Sequence, residues 1–194
     1  MYGKFMFSVT NTLQDGSLVK NTINMEEQTM KKLITVIAAS LTLGAFAFAE
    51  GYISANDVKA GIITGQQKEE DGFIIEGSGG SKPIEVKKTD SKTCDGETIT
   101  QRIGFGGSGS ANGPYISFPA KAGETITIYA NHSGTSGNRP LKLVTADGAA
   151  VEEFSNTSYK GDVGVFKIKA PKTDTFKVFP SGGGAYIYMI KVSK

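Results

Sequence analysis

Apolar and polar residues alternate with a period of two along most of the chain after residue 72, which is the repeat of a β-strand and not of a helix. In the segment 125–130, Ile, Ile and Ala at the even positions alternate with Thr, Thr and Tyr at the odd ones. Tyr129 is therefore predicted to be exposed. Strands with this pattern are predicted at 72–76, 84–87, 98–105, 115–118, 125–130, 141–144, 163–169, 175–179 and 185–192.

The segments between these runs carry turn-forming residues, chiefly Gly-rich, Asp-Gly and Ser-Gly sequences. Only Ser54–Lys59 is compatible with a turn of helix, with Ser54 or Asn56 as its cap. Short, half-apolar strands at this regular spacing predict an all-β fold, a two-sheet antiparallel β-sandwich. No linker divides it, so residues 50–194 are predicted to form a single domain.

A short apolar stretch precedes this domain. Met30-Lys31-Lys32 is followed by an uncharged run from Leu33 to Phe48. Ala47 and Ala49, on either side of Phe48, form a small-x-small site at its end. A basic start, an apolar run and a small-x-small site are the parts of a secretory signal peptide, so residues 30–49 are predicted to be one. The protein is therefore predicted to be secreted or periplasmic, with no membrane attachment after cleavage.

Residues 1–29 stand in front of that signal, where an export signal normally has only a few basic residues. Met25-Glu26-Glu27 can be encoded by ATG-GAG-GAA, which contains a ribosome-binding sequence at ordinary spacing from Met30. The hypothesis is that residues 1–29 are a leader translated from a wrongly assigned upstream start codon, and they are predicted to be unstructured. A gene sequence without a purine-rich run at this place would contradict the hypothesis.

The charges of the chain nearly balance, with 21 Lys and Arg against 19 Asp and Glu and a formal net charge of +2. No global field would recruit nucleic acid or a membrane surface, so an acidic partner would have to be held by a local cluster of cations. Cys94 is the single cysteine, so no disulfide forms within the chain. It is predicted to be a half-buried strand or turn residue.

One long segment resembles a known family. Residues 90–110 read DSKTCDGETITQRIGFGGSGS, and this run is similar to one found in accessory β-sandwich modules attached to bacterial pectate lyases and other secreted polysaccharide-degrading enzymes. The likeness continues in order through 115–118, 125–129, 139–143 and 182–192, and at the front of the domain through 54–61 and 71–73. The resemblance implies a jelly-roll-like, carbohydrate-binding module whose associated substrate is acidic plant polysaccharide of the pectin type.

Arg102 is the first candidate for binding such a ligand. It lies on the polar face of its strand, whose apolar positions are Ile99, Ile103 and Phe105. A guanidinium can hold one carboxylate through two parallel hydrogen bonds, which is what recognition of a galacturonate needs. The alternative is an ion pair with an Asp or Glu across the sheet.

The loop 131–138 is the second candidate, because its short polar side chains can bond sugar hydroxyls. Asn138 ends this loop, and Arg139 and Lys142 border it. The predicted ligand-binding residues are thus Arg102, Arg139, Lys142, Asn138 and Tyr129. The alternative for the loop is a solvated hairpin connection.

No metal site or catalytic group is predicted. His132 is the only histidine and has no second His or Cys near it in sequence. Asp90, Asp95 and Asp147 lie in oxygen-rich turns of the kind that sometimes hold structural calcium, but their spacing matches no calcium loop. Acidic pairs such as Glu152-Glu153 have the character of solvated loop charge, and no nucleophile or metal motif accompanies them.

The sequence thus favours a secreted, non-catalytic module that binds an acidic polysaccharide through Arg, Lys and polar loop residues. A structural or adhesive envelope protein that uses the same sandwich for protein contacts is the alternative, and a small hydrolase or lyase is the third reading. Genes for polysaccharide lyases beside this one would favour the first, and adhesin or surface-layer genes the second.

Overall fold

A computed structural model describes residues 5–12, 18–25, 51–135, 137–158 and 162–194. The chain forms two compact units, residues 1–47 and 48–194. The first contains the antiparallel strands β1 (Phe5–Thr12) and β2 (Leu18–Met25). The register pairs Phe5 with Met25 and Phe7 with Ile23.

The prediction that residues 1–29 are unstructured is therefore wrong for these two strands, whose apolar alternation is short and interrupted by polar residues. The hypothesis that they arise from a wrongly assigned start codon stays a prediction. The predicted signal peptide, residues 30–49, lies outside the described residues, so its cleavage and the export of the protein also stay predictions.

The second unit is a sandwich of two antiparallel sheets, which confirms the predicted fold class. The seven-stranded sheet has the order β13-β10-β15-β8-β7-β4, with β3 also pairing with β15, and the six-stranded sheet has the order β12-β11-β14-β9-β6-β5. The strands are β3 (Gly51–Ser54), β4 (Gly61–Ile63), β5 (Gln66–Lys68), β6 (Ile74–Glu76), β7 (Ile84–Cys94), β8 (Glu97–Phe105), β9 (Tyr115–Ala120), β10 (Thr125–His132), β11 (Leu141–Thr145), β12 (Ala150–Phe154), β13 (Gly164–Lys169), β14 (Asp174–Pro180) and β15 (Ala185–Ser193).

The core lies between the two sheets and is built from alternate residues of their strands. At its centre Phe118 of β9 is fully buried between Phe73 and Phe176, with ring centroids 5.4 and 6.5 Å away. Ile103 and Ile128 of the seven-stranded sheet are buried in the same core. The alternation that predicted these strands therefore marks the residues that hold the sheets together.

Ser54–Lys59 contains a turn and not a helix. Ser54 caps this turn, because its carbonyl accepts a hydrogen bond from the Asp57 amide at 3.1 Å and its hydroxyl one from the Asn56 amide at 3.3 Å. The one helical segment among the described residues is the short 3-10 turn Glu70–Gly72. No helix in this part of the chain is long and apolar enough to cross a membrane.

The β7–β8 hairpin leaves the plane of its sheet partway along. Strand β8 pairs with β15 only near Gly104 and Ile103, and β3 takes the neighbouring place along the rest of β15. Asn56 ties the departing part of β8 to the domain, since its side chain donates to the Thr98 carbonyl at 3.0 Å and accepts from the Thr100 amide at 2.9 Å. The hairpin tip thereby covers part of the outer face of the sheet.

Cys94 lies near this hairpin tip and is fully buried, which is deeper than the half-buried position predicted for it. Burial, and to a smaller extent the carboxylate of Glu97, raise the pKa of the Cys94 thiol from 9.0 to about 11. A thiolate is therefore disfavoured in the folded state at neutral pH, and the residue serves as a small apolar core group.

This pKa predicts a loss of stability in alkali. The unfolded state releases the Cys94 proton near pH 9, whereas the folded state holds it to about pH 11. The protonated thiol therefore contributes its full share to the free energy of unfolding below pH 9, and this share is lost as the pH rises through about 11. The urea midpoint of unfolding should therefore be lower at about pH 10.5 than at about pH 8. Cys94→Ala should reduce this fall, and an unchanged fall in that variant would contradict the assignment.

Candidate functional site

A groove of about 420 Å³ crosses the outer face of the seven-stranded sheet, the face turned away from the core. Its axis follows one row of cross-strand neighbours. In this row Ile62 of β4 faces Glu85 of β7, Glu85 faces Gly104 of β8, and Gly104 faces Tyr186 of β15. We call it the outer groove, and its further lining includes Arg102, Lys82, Lys87, Pro83 and Ser133.

Gly104 makes the floor of the outer groove flat. A Cβ atom at this position would lie 3.5 Å from the Tyr186 ring and 3.2 Å from the Glu85 carbonyl oxygen. Since glycine has no side chain, the Tyr186 ring can lie against the backbone of β8. The middle of the groove is therefore backbone, bordered by an aromatic ring on one side and by charged side chains on the other.

Arg102 carries the main charge of this site. Its guanidinium carbon lies 3.8 Å from the centroid of the Tyr186 ring, so one face of the guanidinium is covered by an aromatic ring. Its Nε atom is buried and has no hydrogen-bond partner. Within the described part of the chain no ion pair is formed by Arg102.

The residue that faces Arg102 across the sheet is Lys87, so the alternative of an acidic cross-strand partner does not hold. Two like charges directly opposite each other destabilise a sheet. Glu85, the carboxylate nearest along the groove, pairs instead with Lys87 at 2.5 Å. With Lys82, three cationic side chains line the groove against this single carboxylate.

Arg139 and Asn138 have structural contacts beside the groove. The Arg139 guanidinium donates to the Ser133 hydroxyl at 3.3 Å and lies against Gly134 and Gly183, where an added Cβ would approach it within 2.4 and 3.0 Å. The Asn138 side-chain oxygen accepts a hydrogen bond from the Asn156 amide at 2.8 Å. Both residues therefore fix the loop that carries Ser133 to the end of the groove.

Lys142 lies on the other sheet. It is on β11 of the six-stranded sheet, between the buried residues Leu141 and Leu143, and its ammonium pairs with Glu153 at 3.2 Å. The sequence places Lys142 beside Arg139, but the chain enters β11 between them and carries Lys142 to a separate surface. The three predicted cations therefore do not converge on one ligand.

Tyr129 is buried, with 7% of its surface exposed, so the prediction of an exposed tyrosine is wrong. The alternation along β10 is correct, but the β7–β8 hairpin tip covers this part of the outer face, and Asp95 of the tip bonds Lys191 of β15 at 2.5 Å. Burial, together with the charge of Asp95, raises the pKa of the Tyr129 hydroxyl. Tyr129 does not reach the outer groove.

The remaining groove residues were not predicted as a set. Tyr186 is recognisable as a polar-face tyrosine of its strand, but nothing local to the sequence connects it with Arg102 or Glu85. Their proximity follows from the register of four strands, in which the β7–β8 hairpin is joined by β4 and by the distant β15. Ile62 and Lys82 belong to segments without a strand pattern long enough to place them.

No group of three or more His, Cys, Asp or Glu side chains that could hold a metal ion occurs among the described residues. Asp95 is paired with Lys191, and Asp147 accepts hydrogen bonds from the Thr145 hydroxyl and the Ala149 amide within its own turn. The turn contacts lower the pKa of the Asp147 carboxyl, the Thr145 hydroxyl being the larger cause. These aspartates are accounted for by contacts within the protein.

No protein-family model matches the chain, and no curated protein matches it. Among solved structures, the M60 catalytic domain of Clostridium perfringens ZmpB with its CBM51-1 and CBM51-2 domains is 9% identical at a TM-score of 0.37, and the match covers 99% of this chain and 18% of that one. The carbohydrate-binding module CBM36, solved with calcium and xylotriose, is 18% identical at a TM-score of 0.34 over 57% of this chain and 93% of its own.

The CBM22-1 xylan-binding domain of Paenibacillus barcinonensis Xyn10C is 10% identical at a TM-score of 0.36, over 69% of this chain and 94% of its own. The chain thus spans 18% of the length of the ZmpB structure. Because these TM-scores lie below 0.5, the similarities assign no ligand, site or activity to this chain.

Proposed function

We propose that the protein is an exported, non-catalytic carbohydrate-binding module whose outer groove binds an acidic, pectin-like polysaccharide. The observation that carries this proposal is the state of Arg102. It has a guanidinium stacked on Tyr186, no anionic partner among the described residues, and a lysine directly opposite it. A carboxylate of a bound ligand would supply the anionic partner of the Arg102 guanidinium.

Lys87 lies opposite Arg102 but pairs with Glu85, so the one carboxylate that lines the groove is already engaged by another cation. A bound anion would give Arg102 the partner that the described residues do not provide. The flat contact with Tyr186 also limits the rotamers of the Arg102 side chain, so less entropy is lost when a ligand binds.

One face of the guanidinium is covered by the Tyr186 ring and its Nε atom is buried, so the edge that carries the two terminal Nη groups remains for the ligand. That edge presents parallel N–H groups, which match the two oxygens of one carboxylate. Uronic acids are the sugars that carry such a group. Lys82 adds a second, less directional cation, and the Ser133 hydroxyl can bond a sugar hydroxyl at the end of the groove.

A binding role suits this groove better than glycoside hydrolysis. The usual hydrolytic mechanisms place two carboxyl groups on either side of the scissile bond. The outer groove is lined by one carboxylate, Glu85, and this one is held in an ion pair with Lys87. Arg139 has a positioning role in the proposal, since it holds Ser133 and not the ligand.

Calorimetric titration of the full chain with polygalacturonate and with a neutral glucan tests the proposal. Polygalacturonate should bind, and its affinity should fall between low and moderate salt, because exposed charges are screened over roughly 8–10 Å at ordinary ionic strength. The neutral glucan should bind far more weakly and without this salt dependence. Equal binding of the two polymers, or binding of neither, would contradict the proposal.

A further inference from the structure

The outer groove is long enough for more than one sugar ring. The row from Ile62 to Tyr186 crosses β4, β7, β8 and β15, which is three strand spacings or about 14 Å. Side chains of such a row point to the same side of the sheet, so the groove offers a continuous surface perpendicular to the strands. A ligand that reaches both ends must be an oligosaccharide.

The two ends of this row differ in chemistry. At one end Arg102 lies over Tyr186 and provides a positive charge that no carboxylate of the described residues pairs with. At the other end Ile62 is 67% exposed, one of the few large apolar side chains in the described chain to be so open. Pro83 is a second apolar group of the lining, and Lys82, which precedes it in the chain, lies against Gly106.

Glu85 separates the two ends. It is the direct neighbour of Ile62 on one side and of Gly104 on the other, and its charge is already balanced by Lys87. A carboxylate bound next to Ile62 would therefore approach the carboxylate of Glu85 and would lose water against an apolar side chain. Both effects oppose a second negative charge at this end.

From these observations we propose that the outer groove prefers an acidic glycan in which a uronate is followed by an uncharged unit. This inference rests on the proposed function, because it takes Arg102 as the carboxylate-binding end. The uronate binds at Arg102, and the apolar C–H face of an uncharged unit packs on Ile62 and Pro83. A uniformly charged polyuronate binds equally well at Arg102 but places a carboxylate beside Ile62 and Glu85, where it is disfavoured.

The test compares three ligands of equal length: hexagalacturonate, the same hexamer with alternate carboxylates methyl-esterified, and the fully esterified hexamer. Titrations of the full chain should give an affinity for the alternating ligand that is at least about fivefold higher than for the free acid. The fully esterified ligand should bind weakest, because it offers no carboxylate to Arg102. Esterification leaves ring size and linkage unchanged, so only charge and apolar area differ.

Ile62→Ser should remove most of this preference while the free acid binds as before. Val165→Ser is the matched control, since Val165 is 50% exposed at the opposite edge of the same sheet and should keep the preference. Ile62→Thr retains the β-branched shape that suits a strand, and it serves if the serine variant does not fold.

The preference for alternation is overturned if the free acid binds as tightly as the alternating ligand, or if Ile62→Ser and Ile62→Thr both keep the preference. In either case, binding of the free acid would leave the proposed function standing. If none of the three ligands binds, or if the fully esterified one binds best, the proposed function fails together with this inference.

Discussion

Arg102→Ala is expected to weaken binding of polygalacturonate by about tenfold or more. The loss of charge-assisted hydrogen bonds to a carboxylate costs roughly 1.5–3 kcal/mol, and each 1.4 kcal/mol changes a dissociation constant about tenfold. The salt dependence of the remaining binding should also become shallower, because one cation fewer meets the polymer. Titration calorimetry of parent and variant at two salt concentrations measures both effects.

Lys142→Ala is the matched control for this experiment. It removes a cation of the same charge from the six-stranded sheet, away from the outer groove, and should leave the affinity unchanged. Arg102→Leu is a useful second variant, because it keeps an apolar contact with Tyr186 and leaves the Lys87–Glu85 ion pair in place. It should melt no lower than the parent. Binding that survives both Arg102 substitutions but is lost in Lys142→Ala would place the ligand on the other sheet.

Phe118→Ala is expected to cause the largest loss of stability. The side chain is fully buried in the centre of the core and stacks between Phe73 and Phe176. Removal of a buried phenylalanine leaves a cavity and costs about 3–5 kcal/mol, a large part of the roughly 5–15 kcal/mol that stabilises a typical domain. The melting temperature should fall by roughly 10 °C.

Tyr52→Ala provides the comparison for this variant. Tyr52 is an aromatic residue of the same domain but is 49% exposed, so its removal should change the free energy of unfolding by about 0.5 kcal/mol or less. Urea unfolding of the two variants gives both values. Similar losses in Phe118→Ala and Tyr52→Ala would show that the core is not organised around the Phe73–Phe118–Phe176 stack.

Several strands could be predicted from the sequence because one physical requirement fixes them: alternate residues must face the core. β9, β10, β14 and β15 obey it, and their observed bounds lie within two residues of the predicted ones. The longest strand, β7 (Ile84–Cys94), was predicted only over 84–87. β4 and β5, of three residues each, are too short to show a period. β12 lies at a sheet edge and is largely exposed, so no apolar face identifies it.

The candidate site was predictable only in part, and Tyr129 shows why. The alternation of β10 places its side chain on the outer face, but whether that face meets solvent depends on where the β7–β8 hairpin folds. In the same way, polar alternation identified Arg102, whereas Tyr186 is set by the pairing of β8 with the distant β15, and Lys87 by a hairpin register that shifts between Lys88 and Lys92. Long-range register is not encoded in any local pattern.

The most direct test of the account is to map the ligand on the protein. Amide chemical shifts of the full chain, followed by two-dimensional NMR during titration with hexagalacturonate, should change at Glu85, Gly104, Gly106 and Tyr186, which lie along the outer groove. The amides of Lys142 and Glu153 on the other sheet should not respond. Changes centred on Lys142 and Glu153, or no changes at a saturating ligand concentration, would contradict the assignment of the outer groove as the binding site for acidic carbohydrate.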